Sequence, residues 1–223
     1  MPLIDSSTGQ VRRRCSISEL QEAARLMRGY SLIALCAAGS GHSGGTLSIM
    51  DIAAALYLDE VRHDPKNPDW HDRDRVVWST GHKAPALYVS LGFAGYFELD
   101  DIVRLRKLDS PYQGHPHWLK LPGVEVSSGS LGQGLSIGVG MALAARIDGR
   151  SSRVYVINGD GEQQEGQIWE AAMEAAHLGL DNLVSIVDCN QLQIDGWVKD
   201  VMNIEPLAEK YAAFGWHHIT IDG

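Results

Sequence analysis

Residues 154–196 limit what this chain can fold into more than any other stretch. Val154-Tyr155-Val156-Ile157 is a short apolar, β-favouring run, the pattern of a strand buried on both faces. It leads into Asn158-Gly159-Asp160-Gly161, an acid between two glycines. Residues 167–178 carry Ile168, Ala171, Ala172, Ala175 and Ala176 at helical spacing, and Gly179 stops them. Residues 183–187 predict a second buried strand, ending in Asp188-Cys189-Asn190. Strand, helix and strand in that order make a βαβ unit with parallel strands. The unit carries Asp160 and Asn190 to the carboxyl ends of its two strands, where open α/β sheets place ligands.

That pair suits one kind of chemistry. Asp160 offers an anionic oxygen and Asn190 an amide oxygen. Mg²⁺ and Ca²⁺ take oxygen ligands, and Mg²⁺ often shares a few protein oxygens with water and substrate phosphates. A backbone carbonyl just past Asn190 could add a ligand, and Gly159 and Gly161 let the backbone approach a diphosphate closely. Either residue alone is equally a polar strand end closing an Asx turn. The ordered set of Gly-Asp-Gly, helix, strand and Asn is what points to an ion-bridged diphosphate.

The rest of the chain alternates helices with strands. Ser16 and Glu19 form a capping-box pattern that opens a helix over residues 16–38, stopped by Gly39. Helices are expected over residues 46–58, 84–91, 99–108, 135–145 and 206–214. Strands are expected over residues 75–79 and 216–221, with a brief alternating piece at 124–126. Residues 64–74 read as a charged surface connection, and Ile194-Asp195-Gly196 as a turn. The fold class is therefore α/β, one domain with a parallel sheet and helices on both faces. Residues 1–15, with Arg12-Arg13-Arg14, read as a polar N-terminal arm.

Net charge is −9, and no basic run extends beyond those three arginines, which argues against nucleic acid as a partner. The N-terminus lacks the apolar core of a signal peptide, and no apolar run is long enough to span a bilayer. Cys15, Cys36 and Cys189 show no CxxC spacing, which fits a reducing cytoplasm.

Three histidines, His42, His82 and His115, each follow a glycine in a loop-like setting. Imidazole can exchange a proton near neutral pH or donate to a developing oxyanion. A turn residue or a zinc ligand is the competing reading. Zinc finds no HxxxH spacing here, and His115-Pro116-His117 alone is weak support. Residues 127–134 form a glycine turn opening a helix, able to hold an anion or a polar ring edge. The order Gly129, Gly132, Gly134 is not the dinucleotide fingerprint, and no acid follows about twenty residues on at a second strand end.

Gly159-Asp160-Gly161 followed by Asn190 resembles the thiamine-diphosphate-binding motif shared by transketolases, pyruvate decarboxylases and their relatives. The longer stretch GDGEQQEGQIWEAAMEAAHLGLDNLVSIVDCNQLQIDG resembles transketolase, particularly the two-subunit kind. The likeness runs from about Ser16 to the end, with its motifs in family order. It implies the diphosphate-binding domain of the thiamine-diphosphate fold over residues 16–223, C-terminally short, with thiamine diphosphate and Mg²⁺ (or Ca²⁺) as cofactors. By that resemblance Asp160, Asn190 and the backbone carbonyl of Leu192 are metal ligands. His82, Gly129, Leu131, Gly159, Asp160, Gly161, Glu165 and Asn190 are cofactor-binding positions, with Glu165 at a subunit contact near the aminopyrimidine. His42, His82 and His115 would surround the thiazolium ring and the ketose, His115 facing the donor's C1 hydroxyl. Ser130 departs from the proline often found there.

The implied reaction moves a two-carbon ketol unit from a ketose (phosphate) donor to an aldose. By the same resemblance, the family's activating glutamate is expected on a separate pyrimidine-binding domain, outside the stretch that carries the likeness. The expectation is a chain inactive alone, partnered by a C-terminal subunit in a dimer or heterotetramer. A non-catalytic thiamine-diphosphate-binding homologue, a deoxyxylulose-phosphate synthase and the E1 component of a 2-oxoacid dehydrogenase are the alternatives. The three Gly-His stations and GDGEQQEGQ fit transketolase better.

Overall fold

A computed structural model describes residues 5–9, 14–194 and 196–222. Strands β1 (Arg75–Trp78), β2 (Val154–Gly159) and β3 (Leu183–Asp188) form a parallel sheet in that order. The register pairs Trp78 with Ile157 and Gly159 with Asp188, so the three carboxyl ends lie together. Successive side chains of a strand point to opposite faces. Val76, Trp78, Tyr155 and Ile157 accordingly enter one apolar core, and Val77, Val154, Val156 and Leu183 the other. A sheet covered on both sides explains the unbroken apolar run in β2.

The first core packs under α1 (Ile17–Ala38), α2 (Ser43–Ser48), α3 (Met50–Ala55) and α4 (Ala84–Ala94). The capping box of α1 is formed as expected: Ser16 Oγ accepts from Glu19 N–H at 3.3 Å, and Glu19 accepts from Ser16 N–H at 2.8 Å. Gly39, at φ 66°, closes the helix in the left-handed region. The expected helix over 46–58 starts earlier, at Ser43, and is divided at Ile49 before ending in a π turn, Leu56–Glu60. Gly44 and Gly45 thus lie inside a helix. A Cβ at Gly45 would come within 2.9 Å of Lys83 Cε, so a tertiary contact accounts for that glycine.

The second core packs under α5 (Gln133–Ile147), α6 (Gly166–Leu178), α7 (Val198–Met202) and α8 (Leu207–Ala213). Before α7, β4 (Leu192–Gln193) and β5 (Gly196–Trp197) make a two-residue antiparallel ladder. Asp195, in the turn expected between them, lies outside the described residues, as do Arg12 and Arg13 of the arm.

Three local expectations are corrected. Residues 99–108 form only a short 3₁₀ helix, Leu99–Arg104, because the chain must turn at Arg106 (φ 58°) and Asp109 (φ 58°) to reach the His115 loop. Residues 124–126 are not a strand: Glu125 instead makes a two-pronged ion pair with Arg73. Residues 216–221 are not a strand either. Ile219 and Ile221 are 77% and 75% exposed, and a strand needs a neighbouring ladder that the described residues do not supply. The 64–74 connection is anchored rather than free: Asp74 is buried and accepts from the backbone of Arg62 and Arg153 at 2.9 and 2.8 Å. The arm is tied as well, Ser6 Oγ donating to Asp64 at 2.7 Å and Cys15 N–H to Asp59 at 3.1 Å. Among the described residues no helix is long and apolar enough to cross a membrane.

Candidate functional site

All three strands run out at one edge of the molecule, and each delivers a polar turn there. After β1 the chain makes a 3₁₀ turn, Gly81–Lys83, which carries His82. A Cβ on Gly81 would overlap the backbone of Ser128 and Gly129, so only glycine lets this turn lie against the 127–134 loop. Gly129 in turn lies under the imidazole of His115: a Cβ there would stand 3.1 Å from its Cδ2. His42, at the start of α2, meets His82 edge to face, with ring centroids 5.4 Å apart. Segments separated by dozens of residues thus bring His42, His82, His115 and Gly129 into one cluster. Burial foremost, then the positive charge of Lys83 and the two neighbouring imidazoles, pushes His82 down to about 4. His42 is also lowered, by burial first and then by Arg106 and His115. Both shifts favour the neutral imidazole.

The second half of the site follows β2. Asp160 is only 4% exposed. One carboxylate oxygen accepts from Gly161 N–H at 2.8 Å and the other from Gln191 N–H at 2.5 Å. Desolvation raises its pKa, partly offset by those two N–H donors. Among the described residues no cationic side chain is ion-paired with it. Asn190 sits two residues beyond β3, and its Oδ1 accepts from Leu192 N–H at 3.0 Å. The Asx turn of the competing reading is therefore present at Asn190, with Gln191 (φ 67°) turning the chain back toward Asp160.

This donor set fits a hard divalent cation. It offers a buried carboxylate that, among the described residues, has no paired cation and keeps lone pairs after its two backbone hydrogen bonds, and the bond from Gln191 N–H brings the Asn190–Leu192 segment, with its amide and carbonyl oxygens, up to it. Among the described residues no three His, Cys, Asp or Glu side chains converge on a metal position. A cation here would thus depend on amide and carbonyl oxygens next to one carboxylate. Gly159 closes β2 and Gly161 opens the following 3₁₀ turn. Leu131 is half-buried, and its carbonyl accepts from Gln167 Nε2 at 2.9 Å. Glu165 is exposed at the N-terminal end of α6, with its Cβ beneath Gly132.

Sequence reasoning missed the acids and the lysine that hold these parts together. Glu162, 2% exposed, accepts from Ser79 Oγ, from Gly132 N–H at 2.7 Å and from Gly159 N–H at 3.0 Å. It joins the ends of β1 and β2 to the start of α5. Lys83 pairs with Asp188 at the end of β3. The available signal was positional: Asp188 closes a predicted strand, and Glu162 directly follows the Gly-Asp-Gly turn.

Comparison with known proteins gives the family. Residues 20–223 match the family model described as "Transketolase, thiamine diphosphate binding domain". The chain is 44% identical, over 205 residues, to a 6-deoxy-6-sulfo-D-fructose transketolase subunit of Clostridium sp. (strain MSTE9), covering 92% of this chain and 74% of that protein. It is 45% identical over 186 residues to an apulose-4-phosphate transketolase subunit of Phocaeicola vulgatus, covering 83% of this chain and 66% of that one. Transketolase from Leishmania mexicana superposes with a TM-score of 0.84 at 35% identity, covering 92% of this chain and 32% of its own. The chain therefore spans two thirds to three quarters of the subunit relatives and about a third of the solved transketolase. With its parallel sheet, its strand-end turns and this match over nearly its whole length, the chain belongs to the transketolase family, as a thiamine diphosphate binding domain.

Proposed function

We propose that this chain is the diphosphate-binding subunit, or N-terminal part, of a two-subunit transketolase that transfers a two-carbon ketol unit from a ketose to an aldose. One observation carries the reading. Three Gly-His turns and the Asp160 loop, drawn from four parts of the chain, meet at the carboxyl ends of one sheet. Residues 16–223 are the functional unit in this reading, and residues 1–15 an arm.

Asp160, the Asn190 amide oxygen and the Leu192 carbonyl would hold Mg²⁺ or Ca²⁺, and through it the diphosphate. Gly159 and Gly161 would leave room for the phosphates, and Gly129 and Leu131 would line the ring site. Bound thiamine diphosphate supplies the electron sink for carbon–carbon bond chemistry. The protein's own part is to orient the sugar and move protons. His42 and His82, their pKa lowered toward the neutral imidazole, would each offer one donor and one acceptor nitrogen to the sugar's oxygens. His115, on Gly129, would face the donor's C1 hydroxyl. Glu165, exposed at the start of α6, suits a contact with a partner that carries the pyrimidine-binding domain, in a heterotetramer or dimer.

The names of the two subunit relatives, one for a sulfo-sugar and one for a sugar phosphate, support an anionic sugar as substrate. Three free cysteines support a reducing, cytoplasmic setting. Asp160→Ala should abolish Mg²⁺-dependent binding of thiamine diphosphate in the assembled complex, read by calorimetry with and without chelator. Unchanged affinity in that variant would overturn the metal assignment. A donor panel should show turnover with ketose phosphates and none with pyruvate; the reverse would favour the 2-oxoacid or deoxyxylulose-phosphate branch.

A further inference from the structure

Lys83 is 1% exposed, and a buried ammonium needs a partner. It donates to Oδ2 of Asp188, at the end of β3. The same oxygen accepts from Ser48 Oγ at 2.5 Å and from Asn190 Nδ2 at 3.4 Å. The convergence matters for Asn190. The nitrogen of an amide only donates and its oxygen accepts, so the two ends are not interchangeable toward a cation. With Nδ2 drawn to Asp188, Oδ1 is the end left for other partners, and Leu192 N–H is one of them.

We propose that Lys83 and Asp188 are a positioning pair that fixes the Asn190 amide with its oxygen, not its nitrogen, presented to the divalent cation. The inference rests on the metal reading above. With the amide turned over, two N–H donors would face the ion and a ligand would be lost. The pair also separates the duties of two acids at the same sheet edge. Asp188 lies in register with Gly159, one residue before Asp160. Asp188 Oδ2 is taken up by Lys83, Ser48 and Asn190, whereas among the described residues the Asp160 oxygens meet only backbone N–H groups. Lys83 itself is enclosed, with Gly45 packed against its stem, so it acts on the site through Asp188 rather than by touching phosphate.

A double-mutant cycle on the full chain tests this, with Mn²⁺ as the probe and inorganic pyrophosphate as co-ligand, followed by electron paramagnetic resonance. Asp188→Ala should weaken Mn²⁺ binding by roughly ten- to a hundredfold, the usual cost of losing a group that orients a ligand. In the Asn190→Ala background the same change should cost less than about twofold, because the group it acts through is gone. If Asp188→Ala leaves Lys83 stranded and unfolds the chain, Lys83→Met with Asp188→Leu removes both charges together and carries the same cycle. Asp160→Ala separates the two levels of the idea. Wild-type Mn²⁺ affinity in Asp160→Ala would sink the metal reading and this inference with it. Lost affinity in Asp160→Ala, combined with no effect of Asp188→Ala or an equal effect with and without Asn190, would overturn the positioning role alone.

Discussion

Glu162 shows how much one side chain can hold in place. Its carboxylate is shared by Ser79, Gly132 and Gly159, so three segments of the site depend on it. Burial raises its pKa, and those three donors work against the rise. Glu162→Ala would orphan two buried backbone N–H groups and a hydroxyl, at about 1–3 kcal/mol for each unsatisfied group. The expected result is a clear drop in the urea midpoint; a midpoint equal to the parent's would show that the contacts are replaceable. His82 offers a second test. Its imidazole is held at about 4 against an ordinary 6.5. Between those values the unfolded chain binds the extra proton, so stability rises with pH across that window. The contribution of neutral His82 is whole above about pH 6.5 and lost as pH falls toward 4. A His82 resonance that titrates near 6.5 by NMR would contradict the half-buried setting of its ring beside Lys83.

Helices and strands differ in how plainly they can be read. The extent of α1 follows from local groups, Ser16, Glu19 and Gly39, which satisfy its ends with their own atoms. The 46–58 and 99–108 segments depart from their local pattern because their shape is set by what they touch. Gly45 sits in α2 where the Lys83 stem crosses, and Arg106 bends where the chain turns toward His115. The sequence suggests a strand at 216–221, but a local pattern cannot supply the neighbour that a ladder requires. The contact between the 81–83 turn and the 127–134 loop is the element-scale feature most open to test. Gly81→Ala would push a methyl group into the Ser128 carbonyl, an overpacking that costs about 1–3 kcal/mol. It should lower the melting temperature and separate His82 from Gly129. A structure of the variant with the two loops still in contact would refute that account.

At the scale of the whole molecule, the site is an open edge of a sheet with histidines on its rim. His42 and His115 are exposed, as are Leu192 and Trp197 of the small hairpin, at 55% and 50%. An edge of this kind suits a ligand held between two chains. The proposal predicts no ketol transfer by this chain alone and its appearance on mixing with a pyrimidine-domain subunit, measured with a ketose phosphate donor. Full activity of the isolated chain would refute the need for a partner. What the residues determined by themselves was the βαβ unit, the capped first helix and the identity of Asp160, Asn190 and the three Gly-His turns as candidates. Periodicity, caps and glycine spacing are local, so they can be read from neighbours in the chain. The tertiary structure decided the rest: that His42 meets His82, that His115 rests on Gly129, and that Lys83 binds Asp188 across 105 positions. Such pairings depend on which surfaces the sheet brings into contact, and no short stretch of chain contains that information.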